Sequence, residues 1–382
     1  MNFNSKFPSA GTTIFSIMTE LAERLKALNL SQGFPDFAPP QALLDAFHQV
    51  PHYLHQYASG IGTLELRQGV AQQFKSLHQA SFDPIEEVTI TSGATIAIFC
   101  AIQAIIHPED EVIIFDPSYD TYAPSVKIAN AKSIHIPLQA PHFQVDWQQV
   151  KDTITDKTRL IIVNTPHNPT GTIWSKQDWL NLIEITQEKN IFILSDEVYE
   201  HLIFDGQQHY SVMDFPELRE RACAIGSFGK TFHVTGWRTG YCVAGKAFMR
   251  EFRQILQYAS FCAVHPCQIA IAQFMQQHPE HIAELGQFYQ QKRDFFLNGL
   301  EDSRFSMLPS QGTYFQLLDY SAIRDDLNDV EMCQWLAENY KIVSIPVSVF
   351  YKTPPQTLPY LRFCFAKKET TLQQAIDILK TC

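Results

Sequence analysis

Two cationic side chains stand out in the stretch IGSFGKTFHVTGWR, residues 225–238, which is otherwise rich in apolar residues and glycine. A lysine in crowded apolar surroundings loses its charge more readily, and a neutral amine is a nucleophile toward aldehydes, so Lys230 is a candidate nucleophile. Arg238 keeps its charge and offers a planar fork that fits a phosphate. Ser227 and Lys230 have the spacing of the Ser-x-x-Lys pair of penicillin-recognising acylases, but the further motifs of those enzymes are missing, which argues against acyl transfer.

A carboxylate ends the apolar run of IFILSDE, residues 191–197. An isolated carboxylate at the buried end of a strand costs several kcal/mol unless a positive group meets it, so Asp196 predicts a cationic partner. The alternative is that Asp196 caps the following helix. Tyr199 follows three residues later and is close enough to contact the same ligand.

A rigid loop and an aromatic ring follow two other apolar runs. The prolines and the glycine of NTPHNPTG, residues 164–171, would hold the Asn168 amide in one orientation, although a simple turn explains the same residues. Tyr119 comes shortly after Pro117, where its ring could cover a flat ligand or fill the core. Both interpretations stay open for each residue at this point.

A glycine-dependent turn is predicted where the run EEVTITSG, residues 86–93, ends. Gly93 lets the backbone turn sharply, and the free amides of a helix that begins at Ala94 and Thr95 would form an anion site for a phosphate. The alternative is that Thr91 and Ser92 cap that helix.

These residues follow elements that alternate between about residues 85 and 245. Continuous apolar runs alternate with amphipathic stretches, which predicts an α/β fold with a mainly parallel sheet covered on both faces. Ligands of such sheets bind beyond the carboxyl ends of the strands. The predicted strands lie in EEVTITSG, DEVIIFDP, RLIIVNTP, IFILSDE, ACAIGSFG and GYCVAG, and the predicted helices in ATIAIFCAIQAIIH and DWLNLIEITQEKN.

Two domains are predicted. A three-layer large domain would comprise residues 40–285, and a smaller α+β domain would be discontinuous, from residues 1–39 and 286–382. The carboxyl-terminal part of that small domain would hold strands in TYFQLLDY and YLRFCFA, and helices near 279–300, in VEMCQWLAENY and in TLQQAIDILK.

Composition restricts the class of protein. The 382 residues are 45% hydrophobic and 18% charged, which is typical of a globular enzyme. The net charge of −11 disfavours nucleic acid and anionic membranes as partners. The eight cysteines form no CxxC pair, so we expect no metal site and a reducing compartment. Because no apolar run is long enough for a signal peptide or a membrane span, we expect a cytoplasmic protein.

Taken together, these residues resemble those of the fold-type I pyridoxal-phosphate aminotransferases (class I/II) from about residue 10 onward, in NTPHNPTG, SDEVYEH, SFGKTFHVTGWRTGY and LRFCFAKK. The resemblance implies that Lys230 forms the internal aldimine with pyridoxal 5′-phosphate and then moves a proton between Cα and C4′. Asp196 would pair with the pyridine nitrogen, Tyr199 and Asn168 would bind O3′, and Tyr119 would stack on the ring. The residues expected at the phosphate are Gly93, Ala94, Thr95, Ser227, Arg238 and, across a homodimer interface, the partner subunit's Tyr57.

The same resemblance implies a substrate class. Arg362 in YLRFCF matches the arginine that binds an α-carboxylate, helped by Asn168 and the backbone near Gly33; the alternative is a surface arginine at a strand end. GTTIFSIMTELA, NLSQGFPDF and DPSYDTYAP resemble the kynurenine and glutamine transaminase branch, most closely its bacterial methionine aminotransferases. That predicts methionine or aromatic amino acids as donors and 2-oxo acids as acceptors. The side-chain pocket would be lined by Ile14, Phe15, Phe34 and Tyr57.

Two other functions are weighed against transamination. A cysteine-S-conjugate β-lyase would use the same cofactor site but would release pyruvate and ammonia without a 2-oxo acid acceptor. A regulatory protein with an aminotransferase-like domain would add a DNA-binding module before it, whereas here the resemblance begins near residue 10 and the chain is acidic.

Overall fold

A computed structural model describes residues 5–7 and 11–382; residues 1–4 and 8–10, part of the predicted small domain, lie outside the described residues. The α/β class predicted from the sequence is confirmed. The strands are β1 (Leu28–Asn29), β2 (Val88–Thr91), β3 (Glu111–Asp116), β4 (Lys132–Pro137), β5 (Thr158–Asn164), β6 (Phe192–Asp196), β7 (Ala222–Ser227), β8 (Gly240–Ala244), β9 (Phe315–Asp319), β10 (Ile342–Val343), β11 (Ile345–Pro346) and β12 (Tyr360–Cys364).

Helices cover the sheets and connect the strands, and several begin at a side-chain cap. They are α1 (Ile14–Leu25), α2 (Gln41–His48), α3 (Leu64–His78), α4 (Ala94–Ile105), α5 (Tyr122–Ile128), α6 (Trp147–Thr153), α7 (Lys176–Thr186), α8 (Phe228–Thr231), α9 (Lys246–Ala259), α10 (His265–Gln277), α11 (Glu280–Gly299), α12 (Asp329–Tyr340) and α13 (Glu369–Leu379). No helix in the described ranges combines the length and hydropathy that a bilayer span requires.

The main sheet has seven strands in the order β2-β8-β7-β6-β5-β3-β4. Strands β4, β3, β5, β6 and β7 pair in parallel, whereas β8 is antiparallel to both of its neighbours. Strand β2 therefore runs in the same direction as the parallel strands. The carboxyl ends of β2, β3, β5, β6 and β7 consequently meet at one edge, where ligands of open α/β sheets bind.

Alternate residues of the central strands enter different hydrophobic clusters. In β5, Leu160 and Ile162 join one cluster, while Ile161 and Val163 join another. Side chains of a strand point alternately to its two faces, so both faces of the sheet are buried. This is why the strands read as continuous apolar runs.

A third hydrophobic cluster joins the two ends of the chain. Met18 and Leu30 pack with Phe363 and other residues of the carboxyl-terminal segment, and β1 pairs in parallel with β10. Strands β11, β12 and β9 form a separate antiparallel sheet in that order. Helix α11 spans the predicted boundary at residue 285. The boundaries at residues 40 and 285 stay a prediction.

Most elements named from the sequence are present, and the omissions have physical reasons. Helix α11 lies where a helix was expected near 279–300, and β9 and β12 lie within the predicted TYFQLLDY and YLRFCFA strands. Strand β4 was not predicted. It lies at the sheet edge, and Lys132, Ser133 and His135 interrupt its apolar residues, so it lacks a continuous run.

Candidate active site

A cavity of about 250 Å³ lies at the sheet edge where the five strands end. It brings together residues that are far apart in the sequence, and most of the predicted site residues line it. They are Phe15, Gly33, Ala94, Thr95, Tyr119, Asn168, Asp196, Tyr199, Ser227, Lys230, Arg238 and Arg362.

Lys230 lies on the short helix α8, directly after the end of β7 at Ser227. Its Nζ donates hydrogen bonds to the hydroxyl of Tyr314 at 2.8 Å and to the carbonyl oxygen of Gly33 at 3.2 Å. Burial, together with the charges of Arg238 and Arg362, lowers the pKa of the amine to about 8. A neutral form is therefore accessible near neutral pH, as a nucleophile or a base requires.

Asp196 ends β6 and is buried. Its Oδ2 accepts a 2.6 Å hydrogen bond from the Tyr122 hydroxyl, and Oδ1 accepts from the Val198 amide at 3.3 Å. Burial raises the pKa of the carboxyl to about 6, while the Tyr122 hydrogen bond lowers it. Within the described residues no side chain forms a salt bridge with Asp196, so the cationic partner expected from the sequence is not a neighbouring lysine, arginine or histidine.

The amino terminus of α4 forms a narrow cradle. Its N-cap residue Gly93 has φ 86°, and no side chain caps this helix end, so the capping role considered for Thr91 and Ser92 is wrong. A Cβ atom on Gly93 would lie 2.6 Å from Nη2 of Arg238, and one on Gly240 would lie 2.8 Å from the amide nitrogen of Ala94. Free helix amides beside a guanidinium suit a phosphate group.

Arg362 in β12 is only 1% exposed, so the alternative of a surface arginine is wrong. Its Nη1 donates to Oδ1 of Asn168 at 2.8 Å, and Nη2 donates to the carbonyl of Ser31 at 3.0 Å. Its Nε has no hydrogen-bond partner within the described chain. The guanidinium carbon lies 3.9 Å from the ring centroid of Phe315. Burial lowers the pKa of this guanidinium to about 10, and the unpaired charge suits a carboxylate ligand.

Asn168, Tyr199 and Tyr119 complete the group of residues at the strand ends. The backbone N–H of Asn168 donates to Oδ1 of Asn164 at 2.9 Å, which fixes the loop that follows β5. Burial raises the pKa of Tyr199 well above its usual value, so its hydroxyl stays protonated. The partly buried Tyr119 ring packs edge-on against Tyr122, with centroids 5.8 Å apart.

Four predicted site residues do not line this cavity. Gly93 adjoins it and contacts Arg238 as described, whereas Ile14 packs against the cluster that joins the chain ends. Phe34 is 46% exposed, and its carbonyl accepts from Lys367 at 2.8 Å. Tyr57 is 83% exposed and packs edge-on against Phe261. Neither aromatic ring therefore lines the pocket of its own chain.

Sequence reasoning missed several lining or supporting residues. Tyr122 follows Tyr119 by one helical turn, a spacing that could have indicated it. Tyr314 and Phe315 come from the start of β9, outside the main sheet, and Gln32 comes from the segment after β1. No rule about strand ends in a parallel sheet could have found these three.

Comparisons with known proteins agree with this geometry. Residues 26–379 match the family model for aminotransferase class I and II, and the chain belongs to that family. Enzymes of this family are aminotransferases that depend on pyridoxal 5′-phosphate.

Two relatives and one solved structure show which aminotransferases the chain is similar to. The chain is 47% identical to methionine aminotransferase of Escherichia coli (strain K12), over 98% of this chain and 97% of that protein. It is 32% identical to kynurenine–oxoglutarate transaminase 1 of Mus musculus, over 93% and 92%. A crystal structure from Escherichia coli, described as having a methionine aminotransferase function, superposes with a TM-score of 0.97 at 45% identity, with both chains fully covered.

The residues of the cavity fit the cofactor of this family. The cradle at Gly93 and Ala94 leaves backbone amides beside Arg238 for the phosphate, where a Cβ atom would collide. The buried carboxylate of Asp196 suits the protonated ring nitrogen, and the Lys230 amine suits the aldehyde. In the described ranges, no three His, Cys, Asp or Glu side chains are grouped to hold a metal ion.

Proposed function

We propose that the protein transfers the α-amino group of methionine, and of aromatic or other bulky neutral amino acids, to a 2-oxo acid. The relatives named for methionine and kynurenine support this donor range. The single observation that carries the proposal is Arg362, a buried cation that lines the cavity with the Lys230 amine and whose Nε finds no hydrogen-bond partner among the described residues. This arrangement fits an amino acid that is bound by its carboxylate.

The cofactor supplies an aldehyde and an electron-accepting ring when it is bound. Asp196 would hold a positive charge at the ring nitrogen, and Asn168 and Tyr199 would donate to the ring oxygen. Tyr119 would cover the ring face. The phosphate would be held by Gly93, Ala94, Thr95, Ser227 and Arg238.

Substrate binding would use one group of residues for the α-carboxylate and another for the side chain. Arg362 and Asn168, which already contact each other at 2.8 Å, would bind the α-carboxylate together with the backbone at Gly33. Phe15 would contact an apolar substrate side chain, and Phe34 would lie at the entrance because it is half exposed. Nζ of Lys230 would then remove the proton from Cα of the amino acid, since its pKa of about 8 leaves part of it neutral.

A donor panel tests this proposal. Purified protein, loaded with cofactor, is given methionine, phenylalanine, kynurenine or aspartate with a 2-oxo acid, and the new 2-oxo acid and amino acid are measured. We expect methionine to react well, aspartate poorly, and Lys230→Ala to be inactive with each. Release of pyruvate and ammonia from a cysteine conjugate without any acceptor, and no product from methionine, would indicate a lyase instead.

We also propose a homodimer in which each active site receives the partner subunit's Tyr57. The Tyr57 ring is 83% exposed and contacts the exposed Phe261, and the exposed Tyr258 lies three residues before Phe261 in the sequence. These exposed aromatic rings support a surface that is covered in the working enzyme. Hybrid dimers of a Lys230→Ala chain and a Tyr57→Phe chain test it. If Tyr57 acts across the interface, the site with Lys230 on the Tyr57→Phe chain receives the wild-type Tyr57 of its partner, so one site of each hybrid binds the cofactor as tightly as the wild type. If Tyr57 acts within its own chain, each site lacks one of the two residues and neither is intact.

The proposed division into a large domain of residues 40–285 and a small domain of residues 1–39 and 286–382 is supported by the cluster that joins the chain ends. The eight cysteines are all unpaired, which supports a reducing compartment and hence the cytoplasm. Limited proteolysis would test the domain division, which predicts cleavage near residues 40 and 285. Fractionation of cells would test the cytoplasmic location.

A further inference from the structure

The amine of Lys230 is held by two oxygen atoms from different parts of the chain. Gly33 lies in the segment after β1, and Tyr314 directly precedes β9. The Tyr314 hydroxyl itself donates to the carbonyl of Gly33. The three groups therefore form a closed triangle of hydrogen bonds, and two of its members, Lys230 and Gly33, line the cavity.

The direction of each hydrogen bond follows from the donor inventory. A phenol has a single proton, and Tyr314 uses it toward Gly33, so its oxygen can only accept from Lys230. Burial raises the pKa of Tyr314 well above its usual value, so that proton is retained. The carbonyl oxygen of Gly33 has two lone pairs and can accept from both neighbours.

We propose that Gly33 and Tyr314 orient the free Lys230 amine, so that both N–H bonds of its neutral form are engaged and its lone pair is directed into the cavity. Because the two acceptor oxygens are hydrogen-bonded to each other, they lie on one side of Nζ and draw both N–H bonds of the neutral amine toward that side. The lone pair then takes a direction away from them. Tyr314 thus acts on a reacting atom, as a residue that positions the amine for attack and for proton removal. This inference rests on the proposed role of Lys230 in aminotransfer.

Other groups set the charge of the amine but do not orient it. Several ionisable side chains act on it through space, from β6, β12 and the turn before β8, and the Tyr199 ring lies 5.6 Å from Nζ. Those that carry a charge are Asp196, Arg238 and Arg362, and the thiol of Cys364 is a further titratable group near the amine.

The chain offers a matched control for the Tyr314 hydroxyl. Tyr289 is fully buried, packs against Tyr314 with ring centroids 5.8 Å apart, and its hydroxyl has no hydrogen-bond partner in the described part of the chain. Tyr289→Phe therefore removes a buried hydroxyl from the same aromatic cluster without touching Lys230.

The test uses the protein stripped of cofactor, so that it does not depend on turnover. Trace acetylation of Lys230 by acetic anhydride, read by mass spectrometry across pH, reports the pKa of the amine, and rapid mixing reports its rate of cofactor capture. In Tyr314→Phe the acetylation midpoint should move to lower pH, because the charged amine loses an acceptor. Cofactor capture should nevertheless slow by up to about 10-fold, because the neutral amine is no longer oriented.

Tyr289→Phe should match the wild type in both measurements. Identical curves for Tyr314→Phe and the wild type would overturn the inference. Equal changes in Tyr314→Phe and Tyr289→Phe would also overturn it, because they would indicate an effect of packing alone. If Tyr314→Phe does not fold, Tyr314→Met removes the same hydroxyl and is judged by the same two curves. If the curves of Tyr314→Phe do not shift while the wild type still transaminates methionine, only this inference is refuted. If the curves shift as expected but the wild type does not turn over methionine, only the proposed function is refuted.

Discussion

The hydroxyl of Tyr122, on the first turn of α5, donates a 2.6 Å hydrogen bond to Oδ2 of Asp196 at the end of β6. Both groups are buried, and the hydrogen bond favours the ionised carboxylate against the cost of burial. Tyr122 thus stabilises the charged form of the carboxylate that is expected to pair with the cofactor.

Tyr122→Phe should impair the enzyme more at low pH than at high pH. The pKa of Asp196 is raised to about 6 by burial and lowered by Tyr122, so removing the hydroxyl raises it further and protonates the carboxylate at higher pH. We expect the acid limb of kcat/KM to move upward by about one to two pH units, since a hydrogen bond to a charge contributes about 1.5–3 kcal/mol. A pH profile shared with the wild type would show that Tyr122 does not tune Asp196.

Gly93→Ala should weaken cofactor binding by at least about 10-fold. The new Cβ atom would lie 2.6 Å from Nη2 of Arg238, in a backbone conformation with φ 86° that L side chains rarely adopt. Gly206→Ala is the control, because Gly206 also has a positive φ of 67° but has no atom within 4 Å of the added Cβ. Equilibrium binding of the cofactor should separate the two variants, although both lose about 1 kcal/mol of folding stability from backbone strain.

Arg362→Lys should lower kcat/KM for methionine by about 100-fold, mainly through KM, because lysine keeps the charge but not the planar fork. The variant should also lose the close stacking of the guanidinium over Phe315. Arg324→Lys is the control, since Arg324 lies 5.4 Å from the Trp335 ring at the surface, outside the cavity. Comparable steady-state constants for the two variants would contradict a carboxylate-binding role for Arg362.

The contacts of His78 with two carboxylates should make stability depend on pH. His78 lies between Asp214, at 3.1 Å, and Glu200, at 3.7 Å, beside a groove of about 1030 Å³ that shares no residues with the cavity at Lys230. Burial lowers the pKa of His78, but the hydrogen bond to Asp214 and the nearby charge of Glu200 outweigh it and raise the pKa to about 10 from the usual 6.5. These contacts therefore contribute fully below pH 6.5 and progressively less as the pH rises through 10.

His78→Gln should cost about 3 kcal/mol of unfolding free energy at acidic to neutral pH, because it leaves the buried Glu200 and the partly buried Asp214 without their cation. The difference from the wild type should shrink as the pH rises toward 10. Urea unfolding at several pH values measures this. His278→Gln, which removes an exposed histidine 3.0 Å from Glu280, should change stability little, and a constant difference for His78→Gln across pH would refute the titration of His78.

The central sheet and half of the site could be predicted from sequence because the signals are local. Asp196, Asn168 and Lys230 each follow an apolar run, and parallel strands bring their ends together at one edge. The role of Arg362 was predicted from family motifs, and its apolar neighbours Leu361, Phe363 and Phe365 favoured a buried side chain over a surface one. Tyr314 could not be reached by either route, because it meets Lys230 only when β9 packs beside the main sheet.

The triangle at Lys230 also bears on how the protein is made. Its members lie 197 and 84 residues from the lysine along the chain, and β1 pairs with β10 more than 300 positions later. Contacts of such sequence separation form late in folding, after the locally connected parts of the sheet. During synthesis the large sheet can therefore assemble around an amine that has no ordered environment. A chain that ends before Tyr314 would hold the lysine without one of the two groups that orient its amine.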